Sequence, residues 1–534
     1  MVFYIRKQQT YLMSPIDTPD TVQYIWNRRK GMRLKKGLEK CITILFTAVF
    51  AICSFFTLFH FDIYPLGFRH STVKTIIFCI IAFLLVKGYE RLFNGKTSKK
   101  SNAIRIVIAF ISAAVQTLLF LKILTPVGWD AFEVTNAAEY GMYNEYYYVR
   151  HTNNLFMQMM LSGWLKIWKP FGFLSALRKM ELLNLLFVDA AILMAVLTAR
   201  KLYGVKAADR VFICSVLLIG FHPTLSTIYS DTLAMPFPIG VLFFTVYAVE
   251  ETKKRRQLFY LFTAGILGIV GYHIKPTVLI IYIAMGILLL LRWKKDFMQK
   301  QMLIMAAAVL LGAGIASGII SIIEHPVKTE LKAHYPDVVP LGVLHYMGLG
   351  LSNLSDDPSG YGGWNEPEVI WTQQHINDPD YPREALAHIL DRIRDYGIAG
   401  YPRHLLNKLI WAGSDGTFFY GLEGEFHLEG QSPQSTLRGR LQNGFYIETD
   451  FYQNWFSSWM QGVWLMVCVM SALSILRPSG SVYGSIARLS ILGLFLFLLL
   501  FENRSRYLFL YLPVLLTVSA STIRIKNIHY QRQT

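Results

Sequence analysis

The sequence is short of charge, of cysteine and of any repeating pattern. Only 16% of its 534 residues are Asp, Glu, Lys or Arg, while 53% are hydrophobic. So little charge cannot cover the surface of a soluble protein of this length, which excludes an ordinary set of soluble domains. The five cysteines, Cys41, Cys53, Cys79, Cys214 and Cys468, all fall in apolar runs, so neither a disulfide framework nor a zinc site is expected. Alternation with period two is missing, which excludes a membrane β-barrel. No short repeat or low-complexity tract occurs, which excludes a solenoid. The first 40 residues are polar and basic, without a short apolar core and cleavage site, so no removable signal peptide is expected.

What the chain does have is a series of apolar runs long enough to cross about 30 Å of hydrocarbon as helices. They predict an all-α polytopic membrane protein with about 12 transmembrane helices. The spans are 41–61, 71–93, 103–126, 176–199, 210–226, 233–249, 257–272, 276–292, 301–323, 455–476, 486–501 and 506–522. The net charge of +17 raises the question of nucleic acid, but its placement decides otherwise. Basic residues gather at every second boundary: Arg28 to Lys36, Lys96 to Lys100, Arg200 to Arg210, Lys253 to Arg256, Arg292 to Lys295 and Arg524 to Arg532. This positive-inside pattern predicts cytoplasmic N- and C-termini, with membrane lipid headgroups as partners and no nucleic acid.

The expected organisation is a cytoplasmic segment 1–40, two additional helices in 41–102, a transmembrane core 103–323, an extracytoplasmic α-rich domain 324–454, and C-terminal helices with a cytoplasmic tail in 455–534. Long outer connections are usually functional. In the first, 126–175, the run Asn154 to Trp168 is apolar but too short to span, which suits a helix at the outer interface. In the second, Leu386 to Ile410 predicts two amphipathic helices broken at Gly397–Pro402.

Chemistry-bearing residues collect at the outer ends of the spans. Asp130 and Glu133 follow Trp129 at the end of the third span, three apart on one face if helical. Taken alone they read as solvated interfacial acids beside an anchoring Trp. A tyrosine-rich stretch, Tyr140 to Tyr148, leads into Asn153 and Asn154; rings and amides of this kind suit sugar, and an aromatic membrane belt explains the tyrosines equally. Tyr229-Ser230-Asp231-Thr232 fills a short outer turn, where Asp231 serves either as a helix cap or as a second acid near Asp130. His273-Ile274-Lys275-Pro276 and Glu502-Asn503-Arg504-Ser505-Arg506-Tyr507 place cations outside, against the charge rule. They suit a lipid-linked phosphate, and a local Glu502–Arg pair is the structural alternative.

In order and placement these motifs, from Ala103 to about Arg524, resemble the GT-C superfamily of integral-membrane glycosyltransferases. That group contains protein O-mannosyltransferases, the aminoarabinose transferases of lipid A and oligosaccharyltransferase. The resemblance rests on Trp129-Asp130, Asn153-Asn154-Leu155, Tyr229-Ser230-Asp231-Thr232, Ile274-Lys275-Pro276 and the Glu502–Tyr507 turn. This chain has His151-Thr152 where relatives carry a proline before the interfacial helix. The resemblance implies a GT-C-like core and a sugar donor carried on a polyprenyl phosphate, with an extracytoplasmic active site. Asp130 would be the general base, inverting the anomeric centre. Asp231 and Glu133 would orient sugar or acceptor or help hold a divalent cation. Lys275, Arg504, Arg506 and His273 would bind the donor phosphate, and Tyr229, Asn153, Asn154 and Trp364 the substrates.

The acceptor class stays open among glycan, lipid, wall polymer and protein. The outer domain, with its Gly360-Tyr361-Gly362-Gly363-Trp364-Asn365 loop, is expected to serve acceptor choice rather than the chemical step. A transporter or flippase of a lipid-linked sugar is the rival reading, although transporters place ionisable groups near the midplane and often contain a repeat. A noncatalytic scaffold is the third.

Overall fold

The computed structural model describes residues 19–59, 71–170, 172–291, 298–355, 360–420, 432–446, 449–476 and 481–520, with side chains from residue 37 onward except 291 and 298–301. The basic runs 28–36, 292–295 and 524–532 therefore lie outside the described side chains. The described chain is helical and contains no strand.

The first long helices are α1 (Pro19–Phe59), α2 (Thr72–Phe93) and α3 (Lys99–Ile123). Three short ones fill the first long connection: α4 (Trp129–Tyr140), α5 (Glu145–Arg150) and α6 (Leu155–Ile167). The bundle continues through α7 (Ala176–Tyr203), α8 (Val205–Ser215), the single turn α9 (Ser230–Leu233), α10 (Pro236–Glu250), α11 (Lys254–Ile274), α12 (Ile280–Leu291) and α13 (Met298–His334). The second long connection carries α14 (Val343–Leu349), α15 (Glu366–His375), α16 (Tyr381–Gly413) and α17 (Leu437–Phe445). The chain returns through α18 (Ser457–Ala472), α19 (Val482–Leu500) and α20 (Leu512–Ser519).

Nine helices among the described residues are long and apolar enough to cross a membrane, by length and composition: Gly37–Phe59, Thr72–Phe93, Lys99–Ile123, Ala176–Tyr203, Ser230–Glu250, Lys254–Ile274, Met302–His334, Tyr452–Leu476 and Val482–Leu500. The other three sequence-derived spans are shorter, each for a local reason. The span expected over 210–226 loosens into a π turn at Val216–Gly220 and stops before Pro223, which has no N–H to continue it. Pro276 opens a 3-10 turn before α12, and Ser505–Tyr511 is 3-10 throughout before α20. Every residue of α20 is buried, so it is an interior helix.

In the first long connection, the short apolar helix expected at Asn154–Trp168 is α6. The two pieces expected in 386–410 are parts of α16, which bends at Gly397, where φ is +68°. Helix α13 does not stop at Glu324 but runs through Pro326 to His334.

Arg210, counted from sequence among the headgroup-facing cations, is fully buried. Its guanidinium donates to Glu90 Oε1 at 2.8 Å and to the Ala520 carbonyl at 2.9 Å, tying α2, α8 and the end of α20 together. Arg105 makes a two-pronged contact with Asp209 at 2.6 and 2.8 Å. A charge run cannot distinguish a lipid-facing cation from one that neutralises a partner brought in by the fold. These ties join the C-terminal ends of α2 and α20 to the N-terminal parts of α3 and α8.

Candidate active site

Asp130 stands in the first turn of α4, where the unpaired N–H groups of a helix start favour a carboxylate. Trp129 before it has φ at +55° and is 54% exposed. A bulky residue in the left-handed region costs on the order of 1–3 kcal/mol and persists where its surroundings enforce it.

Both oxygens of the Asp130 carboxylate accept a phenol. Tyr147 Oη donates to Oδ1 at 2.7 Å, and Tyr229 Oη donates to Oδ2. Behind Tyr147, Asn154 Nδ2 donates to its oxygen at 2.5 Å, and Asn153 Nδ2 donates to Asn154 Oδ1 at 3.1 Å. The tyrosine run divides because α5 is helical and capped by Asn144. Tyr147 faces Asp130, whereas Tyr148 donates to the Glu133 carbonyl at 3.1 Å. Burial, reinforced by the Asp130 carboxylate, pushes the Tyr147 and Tyr229 phenols far up, so both remain protonated donors. A carboxylate offers about four lone-pair sites, so two phenols leave room for an incoming hydroxyl.

Asp231 is 1% exposed and does not cap its helix: α9 has Tyr229 at the N-cap and no side-chain cap bond. Its carboxylate instead meets the Lys275 ammonium through Oδ1, and Arg506 Nε stands 3.4 Å from Oδ2. Lys275 Nζ lies 4.3 Å from the centre of the Tyr507 ring, and the Arg506 guanidinium 4.5 Å from that of Tyr229. Two cations therefore converge on one buried carboxylate at this spot. Tyr229 belongs to both halves, with its hydroxyl on Asp130 and its ring under Arg506.

Other sequence-derived residues fall elsewhere. Glu133 accepts from Asn144 Nδ2 at 3.2 Å, within the α4–α5 corner. His273 Nδ1 lies 3.7 Å from Glu324, joining α11 to α13. Arg504 is buried, with Nε 3.9 Å from Glu502 and its guanidinium 4.5 Å from the Phe419 ring centre. Trp364 is 44% exposed. Among the described residues no set of three or more His, Cys, Asp and Glu gathers as metal ligands. With Asp231 already facing two cations, its surroundings do not fit a divalent ion.

A family model described as "Conserved hypothetical integral membrane protein" matches residues 34–526. The chain belongs to that family. Nearly its whole length is therefore integral membrane protein, in keeping with the long apolar helices. No curated protein matches the chain. Among solved structures it is similar to ArnT from Cupriavidus metallidurans bound to undecaprenyl phosphate, at 12% identity over 78% of this chain and 77% of that one, with a TM-score of 0.32. A TM-score that low carries no argument about fold or site.

Four residues of the site were not singled out from sequence. Tyr147 was one ring in a run, and only the helical phase of α5 selects it. His151 packs on Tyr147, with ring centres 4.7 Å apart. Burial pushes its imidazole down against the pull of the Asp130 and Glu502 carboxylates, so it is neutral at pH 7. Burial, reinforced by the same two carboxylates, pushes the Tyr346 phenol up. Lys408, in the second half of α16, is 1% exposed, and burial pushes its ammonium down to about 7 while Glu502 pulls it back up. Nothing in its local sequence, HLLNKLI, marks it out from an ordinary surface lysine.

Proposed function

We propose that the protein is an inverting glycosyltransferase that moves a sugar from a polyprenyl-phosphate donor to an acceptor hydroxyl on the extracytoplasmic side of the membrane. The observation that carries this reading is the Tyr229 junction. A carboxylate held by two phenols lies directly beside two cations that converge on a second, buried carboxylate. Asp130 takes the proton of the acceptor hydroxyl as its oxygen attacks the anomeric carbon from the face opposite the phosphate. The bond from that carbon to the phosphate oxygen breaks, and its electron pair stays with the polyprenyl phosphate. That anion needs no separate acid, and Lys275 and Arg506 stabilise the charge it gains. Glu133 and His273 serve the scaffold around the site, and Arg504 supports the turn that carries Arg506. Exposed aromatics near Asp130, Trp129 above all, suit the apolar face of a sugar.

Purified protein incubated with a panel of polyprenyl-phosphate sugars should release free polyprenyl phosphate. Movement of the intact lipid-linked sugar across vesicles, with no release, would make the chain a flippase instead.

The orientation is checked separately. Cysteines placed in Lys96–Lys100 or Lys253–Arg256 should resist an impermeant reagent applied outside, because the Lys/Arg asymmetry holds these connections in the cytoplasm. A cysteine at Tyr140, which is 76% exposed, should react. The reverse result would put the site in the cytoplasm and end the proposal of an extracytoplasmic reaction.

A further inference from the structure

The Glu502–Tyr507 turn that carries Arg506 is held from outside the bundle. Helix α19 ends at Leu500, and the last carbonyls of a helix have no intrahelical donor. Lys408 of α16 supplies one. Its Nζ donates to the carbonyls of Leu499 at 3.0 Å and Phe501 at 2.8 Å, and also to that of Gly350, just past α14, at 2.7 Å. In its ammonium form the side chain has three donors, one for each carbonyl, so it closes two helix ends together, and that charge suits the negative end of a helix.

The rest of the turn is bound to the same outer segments. Asn503 N–H donates to the Gly362 carbonyl at 2.7 Å, and its Nδ2 donates to the carbonyls of Tyr361 at 3.1 Å and Lys408 at 3.0 Å. Ser505 Oγ donates to Asp415 Oδ2 at 2.7 Å. The Gly362-Gly363 backbone lies so close that a Cβ at the first would stand 2.6 Å from Lys408 Cε, and at the second 2.9 Å from Arg504 Cζ. A side chain at either position would push Lys408 or Arg504 aside, and Gly362 also holds φ at +73°, which favours glycine.

We propose that Lys408 is a positioning residue for donor binding: seated on the carbonyls of Gly350, Leu499 and Phe501, it holds the 501–507 turn in the arrangement that presents Arg506 to the donor phosphate. The proposal rests on the reading of Arg506 as a donor cation, and it makes the outer helices part of the donor site as well as its cover. Sequence reasoning assigned them to acceptor choice.

The test measures binding of a short-chain polyprenyl phosphate to purified full-length protein, alongside the thermal midpoint without lipid. Lys408→Met should raise Kd at least about tenfold. Because the lysine acts through the turn, Lys408→Met and Arg506→Gln together should cost less than the product of the two single effects, by roughly threefold or more. Asn503→Ala, which removes two side-chain bonds and leaves the three made by Lys408 Nζ, should weaken binding in the same direction and guards against a Lys408→Met protein that does not fold. If the wild type binds and either variant, folded, keeps wild-type affinity, the positioning role is overturned. Strictly multiplicative effects of Lys408→Met and Arg506→Gln would overturn it too, showing damage unconnected with Arg506. If the wild type itself fails to bind polyprenyl phosphate, the glycosyltransferase reading falls first and this inference with it.

Discussion

Asp130→Asn should lower kcat by roughly 10²–10⁴-fold, the range a positioned general base contributes. The amide preserves shape and can still accept the Tyr229 or Tyr147 phenol through its carbonyl oxygen. It cannot take a proton from the acceptor, and its NH₂ turns a donor toward one phenol. The comparison that isolates the proton is Tyr147→Phe, which removes one hydrogen bond and leaves the carboxylate intact. That variant should lose less, about tenfold, the lower end of the roughly 1.5–3 kcal/mol that a bond to a charged acceptor is worth. Turnover of a saturating polyprenyl-phosphate sugar, with binding of polyprenyl phosphate checked in parallel, separates chemistry from affinity. Near-normal kcat in a folded Asp130→Asn protein would end the assignment of Asp130 as the base.

Arg506→Gln should weaken binding of a short-chain polyprenyl phosphate by about tenfold to a hundredfold, since a lost charge-assisted contact to phosphate is worth roughly 1.5–3 kcal/mol. Arginine 506 is the better probe of the two cations. Its Nε is 3.4 Å from Asp231 Oδ2, so Lys275 still neutralises the buried carboxylate when Arg506 is gone. Removing Lys275 instead takes away the closer partner of a carboxylate that is 1% exposed, and stranding a buried charge destabilises the fold as well as the site. The free sugar, which lacks the phosphate, should show no difference between wild type and Arg506→Gln. An equal loss for both ligands would assign Arg506 to sugar binding or to structure.

Much of this architecture is written locally and is therefore legible. Apolar runs longer than a bilayer become helices because a helix alone satisfies its backbone in hydrocarbon, so Gly37–Phe59 or Val482–Leu500 needs no tertiary information. The break of α16 at Gly397 and the start of α6 after Asn154 follow from single residues and their neighbours. The types of residue in the turns between spans were legible too, because acids and cations beside apolar runs stand out against their background.

Partnership was not legible. Asp231 read first as a helix cap and only second as an acid near Asp130, and its partners proved to be Lys275, 44 residues away, and Arg506, near the far end of the chain. Tyr147 was indistinguishable from Tyr146 and Tyr148 until the phase of a six-residue helix aimed one ring at Asp130. Glu133 and His273 carried the right chemistry in the right loops, yet their side chains go to Asn144 and Glu324. Lys408 lies 93 residues from the Phe501 carbonyl it holds. The sequence by itself determined a helical membrane protein with polar residues gathered at the ends of its spans, because hydrophobic length and charge placement act within one segment. Only the tertiary structure decided which of those residues form a site, because hydrogen bonds and ion pairs act over about 3–4 Å and depend on how distant segments pack.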